Sequence, residues 1–418
     1  MQALPGFRDF LPSDCAVRNY IFAQWRAVSR RYGFVEYDGP LLEDLDLFKK
    51  KSGEEIAKQL YDFTDKGGRA VALRPEMTPT LARMAAASHR DFRKPMKWFS
   101  IPQMFRYERP QRGRLREHYQ YNGDIIGEAS VEADVELIAL CVDVLRAFGF
   151  TAQDVVVRIS DREFWVDFLR SHGVPEERWQ AVLEVIDKSE REPREKTAAR
   201  LGELAAPVFQ IFERGGKSEK LDQLLAGLRV RGLADFVQVD LRIVRGLAYY
   251  TGIVFEAFDR AGKLRAIAGG GRYDDLIGHL SDKAASLPAL GFAMGDVVLG
   301  ELLREIPAAR AQMEAAVASA QQLDVYVVIA KEERRENALA AVQRMRDAGY
   351  RVDFPLLPAK VGKQFQNAEQ LNARCAVLFG DEWPQVKLKA LASREEKLVP
   401  HEELLAHLAT LHSLSSPL

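Results

Sequence analysis

The sequence predicts an α+β chain of more than one domain: a strand-rich first part, a helical insertion, and a separate α/β unit at the C-terminus. Three observations carry this. The chain has 418 residues, too many for one hydrophobic core. Strand-like segments punctuated by Gly and Pro run to about residue 160, yield to charged, helix-period segments over about 161–232, and resume at residue 237. From residue 323 strands and helices alternate, the pattern of a small α/β domain with a mostly parallel sheet. The expected boundaries are residues 1–320 and 323–418, with the Ala- and Gln-rich stretch 307–322 as a linker helix.

Composition narrows the function classes. The chain is 47% hydrophobic and 28% charged with a formal net charge of -1, so any nucleic-acid binding rests on local patches and not on a global cationic field. Its three cysteines, Cys15, Cys141 and Cys375, are odd in number and far apart, which argues for a reducing compartment and against a disulfide framework. No C-x-x-C or His-x-x-x-His spacing occurs, so no dedicated zinc site is expected. Neither a signal segment nor an apolar run long enough to span a bilayer is visible, and the expectation is a soluble cytoplasmic protein with no membrane role.

In chain order, the extended stretch 4–12 holds two prolines and leads into a helix over 14–32, with Val17, Ile21, Trp25 and Val28 near helical spacing and Gly33 as its stop. A strand over 34–43 follows; Pro40 lacks an amide donor and belongs at a strand end or edge. Lys49, Lys50 and Lys51 read as a solvated face. Residues 61–65 and 69–73 form a hairpin across Lys66-Gly67-Gly68. It delivers Leu73-Arg74-Pro75-Glu76-Met77-Thr78-Pro79-Thr80, where Pro79 opens a helix to about residue 87. Glu76 suits the ammonium group of a small ligand, and a helix-capping role equally.

The most informative stretch is 105–120. Arg106, Arg109, Arg112, Arg114 and Arg116 crowd around Pro110 and Gly113, with Glu108 and Glu117 among them, as in two strands joined by an arginine-rich loop. Guanidinium groups stay charged and grip phosphate oxygens in pairs; a solvated charged hairpin is the plainer alternative. Beyond it come a helix over 130–148 with Ser130 as cap, a buried strand over 155–159, the helical insertion, and a strand over 237–244. Gly215-Gly216-Lys217-Ser218 lacks the leading glycine of a phosphate-binding loop, and no G-x-G-x-x-G is present. Arg245-Gly246-Leu247-Ala248-Tyr249-Tyr250 then joins an arginine to a tyrosine pair, ahead of a strand over 253–258. Residues 264–268 run into Gly269-Gly270-Gly271-Arg272-Tyr273-Asp274, whose glycines permit close backbone approach. Residues 290–299 form a small-residue strand entering a helix. In the tail the expected elements are strands over 324–330, 351–354, 375–379 and 386–391, helices over 331–348 and 360–371, and a last helix from about residue 400.

Taken in order, these segments resemble the class II aminoacyl-tRNA synthetases, and the histidyl-tRNA synthetase family in particular, over essentially the whole chain. The strand ending at Pro40 resembles motif 1, 105–120 motif 2, and 291–299 motif 3. The segments from Arg245 and Gly269 resemble the two histidine signatures. The resemblance implies an antiparallel catalytic sheet, a homodimer, and a C-terminal anticodon-binding domain. It implies activation of L-histidine by ATP, accompanied by Mg2+, and transfer to the 3' end of tRNA(His). By the same resemblance Arg106 and Arg245 hold the α-phosphate from opposite sides, Glu108 reads the adenine amino group, and Arg114 reaches the outer phosphates. Glu76 and Thr78 take the α-ammonium of histidine; Gln120 and Asp124 line its pocket; Tyr249 and Tyr250 flank the imidazole. No metal is assigned to protein side chains. Arg109, Arg112 and Arg116 contact ATP or the acceptor end without a ranking, and Lys360, Lys363, Gln364 and Lys387 are the candidates for the anticodon loop.

The chain departs from the family pattern at Val298, where motif 3 usually carries an arginine, at Val297 for its partner glutamate, and at Ala248 for an aspartate. Part of the family, plant-like forms among them, shares the variant motif 3, and the reading is a divergent but working ATP site. Two alternatives remain: a histidine-sensing regulatory subunit of ATP phosphoribosyltransferase, which typically lacks the C-terminal domain, and a tRNA-binding protein without catalysis.

Overall fold

The computed structural model of the chain describes residues 2–49, 59–245, 249–281 and 285–413. Lys50 and Lys51 of the basic run, and Gly246, Leu247 and Ala248 of the segment after Arg245, lie outside the described residues. The chain divides into two units, Met1–Glu314 and Ala315–Leu418.

In the first unit the strands are β1 (Val35–Glu36), β2 (Leu42–Asp44), β3 (Tyr61–Thr64), β4 (Ala70–Leu73), β5 (Met96–Ser100) and β6 (Gln103–Phe105). They continue as β7 (Glu117–Ile126), β8 (Val155–Asp161), β9 (Val237–Val239), β10 (Ile253–Asp259), β11 (Ala268–Arg272) and β12 (Ala289–Gly295). The main sheet runs β1-β5-β7-β12-β11-β10-β8-β9, with β6 alongside β7; β2, β4 and β3 form a small second sheet. Every neighbour pair in the main sheet is antiparallel except β1–β5 and β8–β9 at its two ends.

The centre is set by β7 and the helix behind it. From Tyr121 to Ile126 every residue of β7 is buried. Helix Val131–Ala147 is apolar around most of its girth and packs against β7, β11 and β12, as a helix inside a core must be. It follows Ser130 and ends just ahead of Gly149 at φ +85°, as expected. The Ser130 hydroxyl makes no capping bond; its amide instead donates to Glu128 Oε1 at 2.9 Å. Between β8 and β9 the insertion is five α-helices, from Arg162–Ser171 to Glu219–Val230. Ser218, from the rejected glycine motif, caps the last of them and donates to Asp161 Oδ2 at 2.6 Å.

Two expected strands are shorter than the sequence suggested, each for a local reason. Residues 34–43 split into β1 and β2. Pro40 cannot donate to a ladder, and the buried Arg74 guanidinium binds Asp38 Oδ1 at 2.9 Å and Gly39 O at 2.8 Å, holding that segment between the two sheets. β9 stops at Val239, because Asp240 takes the amide and guanidinium of Arg242 at 3.1 and 2.9 Å and turns the chain. Residues 264–267 are a loop ahead of β11, pinned by the Asp259 carboxylate through the amides of Lys263 and Leu264 at 2.9 and 3.0 Å.

The second unit holds β13 (Val325–Ile329), β14 (Val352–Asp353), β15 (Cys375–Phe379), β16 (Gln385–Ala390) and β17 (Glu396–Pro400), in the order β14-β13-β15-β16-β17. β13 is parallel to β14 and β15, but β15–β16 and β16–β17 are antiparallel, so the sheet is evenly mixed and not mostly parallel. Short turns after β15 and β16 leave no room for the crossover helix that a parallel pair needs. β17 occupies residues where only a loop and the start of a helix were expected; the last helix begins at Leu404. Side chains of β13 alternate between two small cores, Val325, Val327 and Ile329 on one face and Tyr326 and Val328 on the other. No helix among the described residues is long and apolar enough to cross a membrane.

Candidate active site

The arginine-rich segment is the loop between β6 and β7. Its base closes where Arg106 N donates to Arg116 O at 2.9 Å, and its tip where Gln111 and Arg114 exchange backbone bonds at 3.0 and 2.8 Å. Gly113 turns the tip at φ +72°. The structure sorts the five arginines. Arg106 and Arg114 line a cavity of about 680 Å³ over the middle strands of the main sheet. Arg112 instead binds Glu301 at 3.0 Å and Glu305 at 2.5 Å, outside the cavity on helix Asp296–Glu305. Arg116 lies over the Tyr107 ring at 4.4 Å and donates to Glu108 O at 3.1 Å; neither it nor Arg109 lines the cavity.

The remaining residues singled out from the sequence converge on the same cavity. Glu76 and Thr78 enter from the start of helix Thr78–Ser88, Gln120 and Asp124 from β7, Glu108 from the loop, and Arg245, Tyr249 and Tyr250 from the segment ahead of β10. Glu76 lines the cavity just ahead of that helix, whose N-cap position is held by Met77.

Arg245 is the most constrained of the set. Its backbone sits at φ +51°, a conformation that costs a side-chain-bearing residue free energy and is held only by its surroundings. Arg162 Nη1 donates to its carbonyl at 3.2 Å. Its own Nη1 meets Glu256 Oε1 at 2.9 Å, and its guanidinium lies 5.4 Å from the Tyr250 ring centre. Burial pulls against its charge, but Tyr250 and Glu256 outweigh that and raise its pKa above the ordinary arginine value. A Cβ at Gly269 on the neighbouring strand would collide with this guanidinium.

Opposite, the buried Asp124 accepts a short hydrogen bond from the Tyr273 hydroxyl. The Tyr249 and Tyr250 rings lie 4.6 Å apart, and Tyr273 meets Tyr249 edge-on at 6.1 Å. Burial, then Glu76, raises the Tyr249 pKa, so its hydroxyl keeps its proton. This end is a slot lined by aromatic rings with a carboxylate at its floor. At the other end Arg114 Nε pairs with Glu108 Oε2 at 2.7 Å, beneath Val297 and Val298.

Several lining residues were not singled out from the sequence. His118 on β7 is held neutral, its pKa lowered to about 3 by burial and then by Arg106 and Arg8. Glu256, Tyr273, Arg191 from the insertion and Arg265 from the loop before β11 also face the cavity. Strand alternation signals Glu256, an acid in an otherwise apolar run; Arg191 and Arg265 carry no local signal. In the second unit, Gln364 is fully buried, donating to Ile329 O at 2.8 Å and Ala359 O at 2.7 Å. It braces β13 and is not free to read a base. Lys387 faces Glu382 and Glu396 at 3.6 and 4.0 Å, while Lys360 and Lys363 are exposed.

Over an antiparallel sheet the cavity gathers guanidinium groups at one end and acids with tyrosines at the other, and the fold is that of a class II aminoacyl-tRNA synthetase, as the matches to known proteins show. The family model described as Histidyl-tRNA synthetase matches residues 6–296, and that described as Anticodon binding domain matches 324–411. A histidine–tRNA ligase of Opitutus terrae is 47% identical over 97% of each chain. A chloroplastic/mitochondrial histidine–tRNA ligase of Arabidopsis thaliana is 41% identical over 96% of this chain and 85% of its own. The histidyl-tRNA synthetase structure from Nostoc sp. PCC 7120 shares the fold, with a TM-score of 0.79 at 24% identity over 98% and 99% of the two chains. The chain belongs to the histidyl-tRNA synthetase family.

Proposed function

We propose that the chain's histidine–tRNA ligase activity runs in the 680 Å³ cavity, with histidine in the tyrosine-lined end and ATP under the arginine-rich loop. The observation that carries this is the convergence of Arg106 and Arg245 with the Tyr249–Tyr250 pair in one cavity, from segments well over a hundred positions apart. In the first step a histidine carboxylate oxygen attacks the α-phosphorus. The Pα–O bond to the β-phosphate breaks, and pyrophosphate leaves with the electron pair. No general base is required, since the carboxylate is ionised near neutrality. Arg106 and Arg245 meet the charge that builds on the α-phosphate oxygens, which is the main catalytic device such a reaction offers. Glu76, Thr78 and Asp124 hold the α-ammonium and the pocket floor, and Tyr250 bonds the imidazole. Glu108 and Arg114 exchange their mutual ion pair for contacts to adenine and the outer phosphates. In the second step a ribose hydroxyl at the 3' end of tRNA(His) attacks the activated carbonyl and AMP leaves.

Magnesium belongs to this reading as the counterion of ATP. In that role it neutralises the outer phosphates of the substrate. A cytoplasmic homodimer is also part of the proposal: β1 is an edge strand with Val35 exposed, beside the exposed Leu41 and Leu42. The regulatory-subunit reading is not favoured, because residues 324–411 match the anticodon-binding domain that such subunits typically lack. The test is histidine-dependent ATP–pyrophosphate exchange. The expected result is exchange by the wild type and a loss of about 100-fold or more in Arg245→Ala. A folded wild-type protein that binds histidine without exchange would overturn the enzyme reading.

A further inference from the structure

We propose that Arg265 is an additional ATP-binding residue of this chain, acting on the outer phosphates together with Arg114. The inference rests on the placement of ATP under the arginine-rich loop and goes beyond it. Arg265 lines the cavity beside Gly113, Arg114 and Glu108. A Cβ at Gly113 would lie 3.2 Å from Val298 Cγ2 and 3.7 Å from Arg265 Cδ, so the loop tip, the apolar helix wall and the arginine stem meet at one point. Helix Asp296–Glu305 turns Val297 and Val298 to the cavity there and supplies no cation.

Two further observations point to an anion. Arg265 and Arg114 repel one another across the cavity, and Arg265 has no ion pair among the described residues, whereas Arg114 has Glu108. Two guanidinium groups facing one cavity with a single carboxylate between them leave a net positive site, which a polyphosphate neutralises. The segment that presents Arg265 is also fixed in place. Asp259 binds the amides of Lys263 and Leu264 immediately before it, and Ile267 N donates to Ala257 O at 2.8 Å immediately after it. Arg265 itself is exposed and takes no part in the core, so its replacement leaves the fold intact.

The test compares wild type, Arg265→Ala and Arg265→Lys in histidine-dependent ATP–pyrophosphate exchange, with AMP as competitor. The expected result for Arg265→Ala is a KM for ATP raised about tenfold, the effect of losing one charge-assisted contact. KM for histidine and the inhibition constant of AMP stay within twofold, and Arg265→Lys recovers part of the loss. An unchanged KM for ATP would overturn the proposal, and so would an equal loss of AMP affinity, which would move Arg265 to the nucleoside end. Absence of exchange in the wild type is the distinct failure of the enzyme reading itself.

Discussion

Gly269→Ala is the sharpest perturbation that the geometry offers, because it alters the site without touching a functional side chain. Gly269 faces Glu256 across β10–β11, and Glu256 holds Arg245. A Cβ at Gly269 would overlap Arg245 Nη1 and lie 2.9 Å from its Cζ. Ordinary carbon contacts begin near 3.5 Å, so the guanidinium must move by about 1 Å or more. It has little freedom to do so smoothly, since its backbone is held at φ +51° and its other side meets Tyr250. Displacement of a group by about 1 Å at a reacting phosphate costs on the order of 100-fold. The expected result is therefore a fall of about that size in kcat for ATP–pyrophosphate exchange, with thermal unfolding close to wild type. A double-mutant cycle isolates the cause: in an Arg245→Ala background the same Gly269→Ala change has no further effect on exchange. Full activity in Gly269→Ala, or an equal loss in both backgrounds, would refute the reasoning.

Two other predictions concern stability. Arg272, from the second histidine signature, is buried and holds the buried Asp134 at 2.6 Å, with the carbonyls of Glu128 and Ser130 at 3.0 and 3.1 Å. Arg272→Met strands that carboxylate and is expected to destabilise the protein by about 3–5 kcal/mol in denaturant unfolding; a change near zero would contradict the bracing role. His118 has its pKa lowered from 6.5 to about 3, so between those values the unfolded chain binds a proton that the folded one refuses. Its contribution to stability is thus fully present above pH 6.5 and is lost as pH falls toward 3, by roughly 3–5 kcal/mol. His118→Leu is expected to flatten the unfolding free energy in that window, and an unchanged slope would show that His118 is not the group responsible.

Much of this was legible in the sequence because the informative residues come in local groups. Arg106, Glu108 and Arg114 share one loop, and Tyr249 and Tyr250 are adjacent, so their chemistry shows before any fold is known. Glycine and proline marked the turns at Gly33, Gly113 and Gly149 correctly, since a positive φ is a property of one residue. What escaped depends on contacts distant in sequence. Gln364 reads as a polar surface residue; it is buried because β13 presents a free amide and carbonyl at Ile329 that only its side-chain amide satisfies. The two shortened strands were ended by Arg74 and Asp240, whose side chains compete with the ladder for backbone groups. Arg191 and Arg265 face the cavity only because the insertion and the β10–β11 loop fold over it.

Two strand glycines, Gly291 and Gly269, are explained by the side chains packed over them. Gly291 stands directly opposite Asp124 on β12–β7, and a Cβ there would collide with the Asp124 carboxylate. Gly269 stands opposite Glu256, and a Cβ there would collide with the Arg245 guanidinium that Glu256 holds. At Gly291 the facing strand supplies the charged side chain itself; at Gly269 the facing strand supplies Glu256, which holds the Arg245 guanidinium in the space left open. A conventional pleated sheet keeps a side chain at every position of a face, about 5 Å from the next, and that spacing leaves no room to lay a guanidinium or a buried carboxylate flat along the surface. Removing the facing Cβ creates the room while leaving both ladders intact. The glycines are therefore part of the site as much as Arg245 and Asp124 are, and alanine at either should act on turnover through the side chain it displaces.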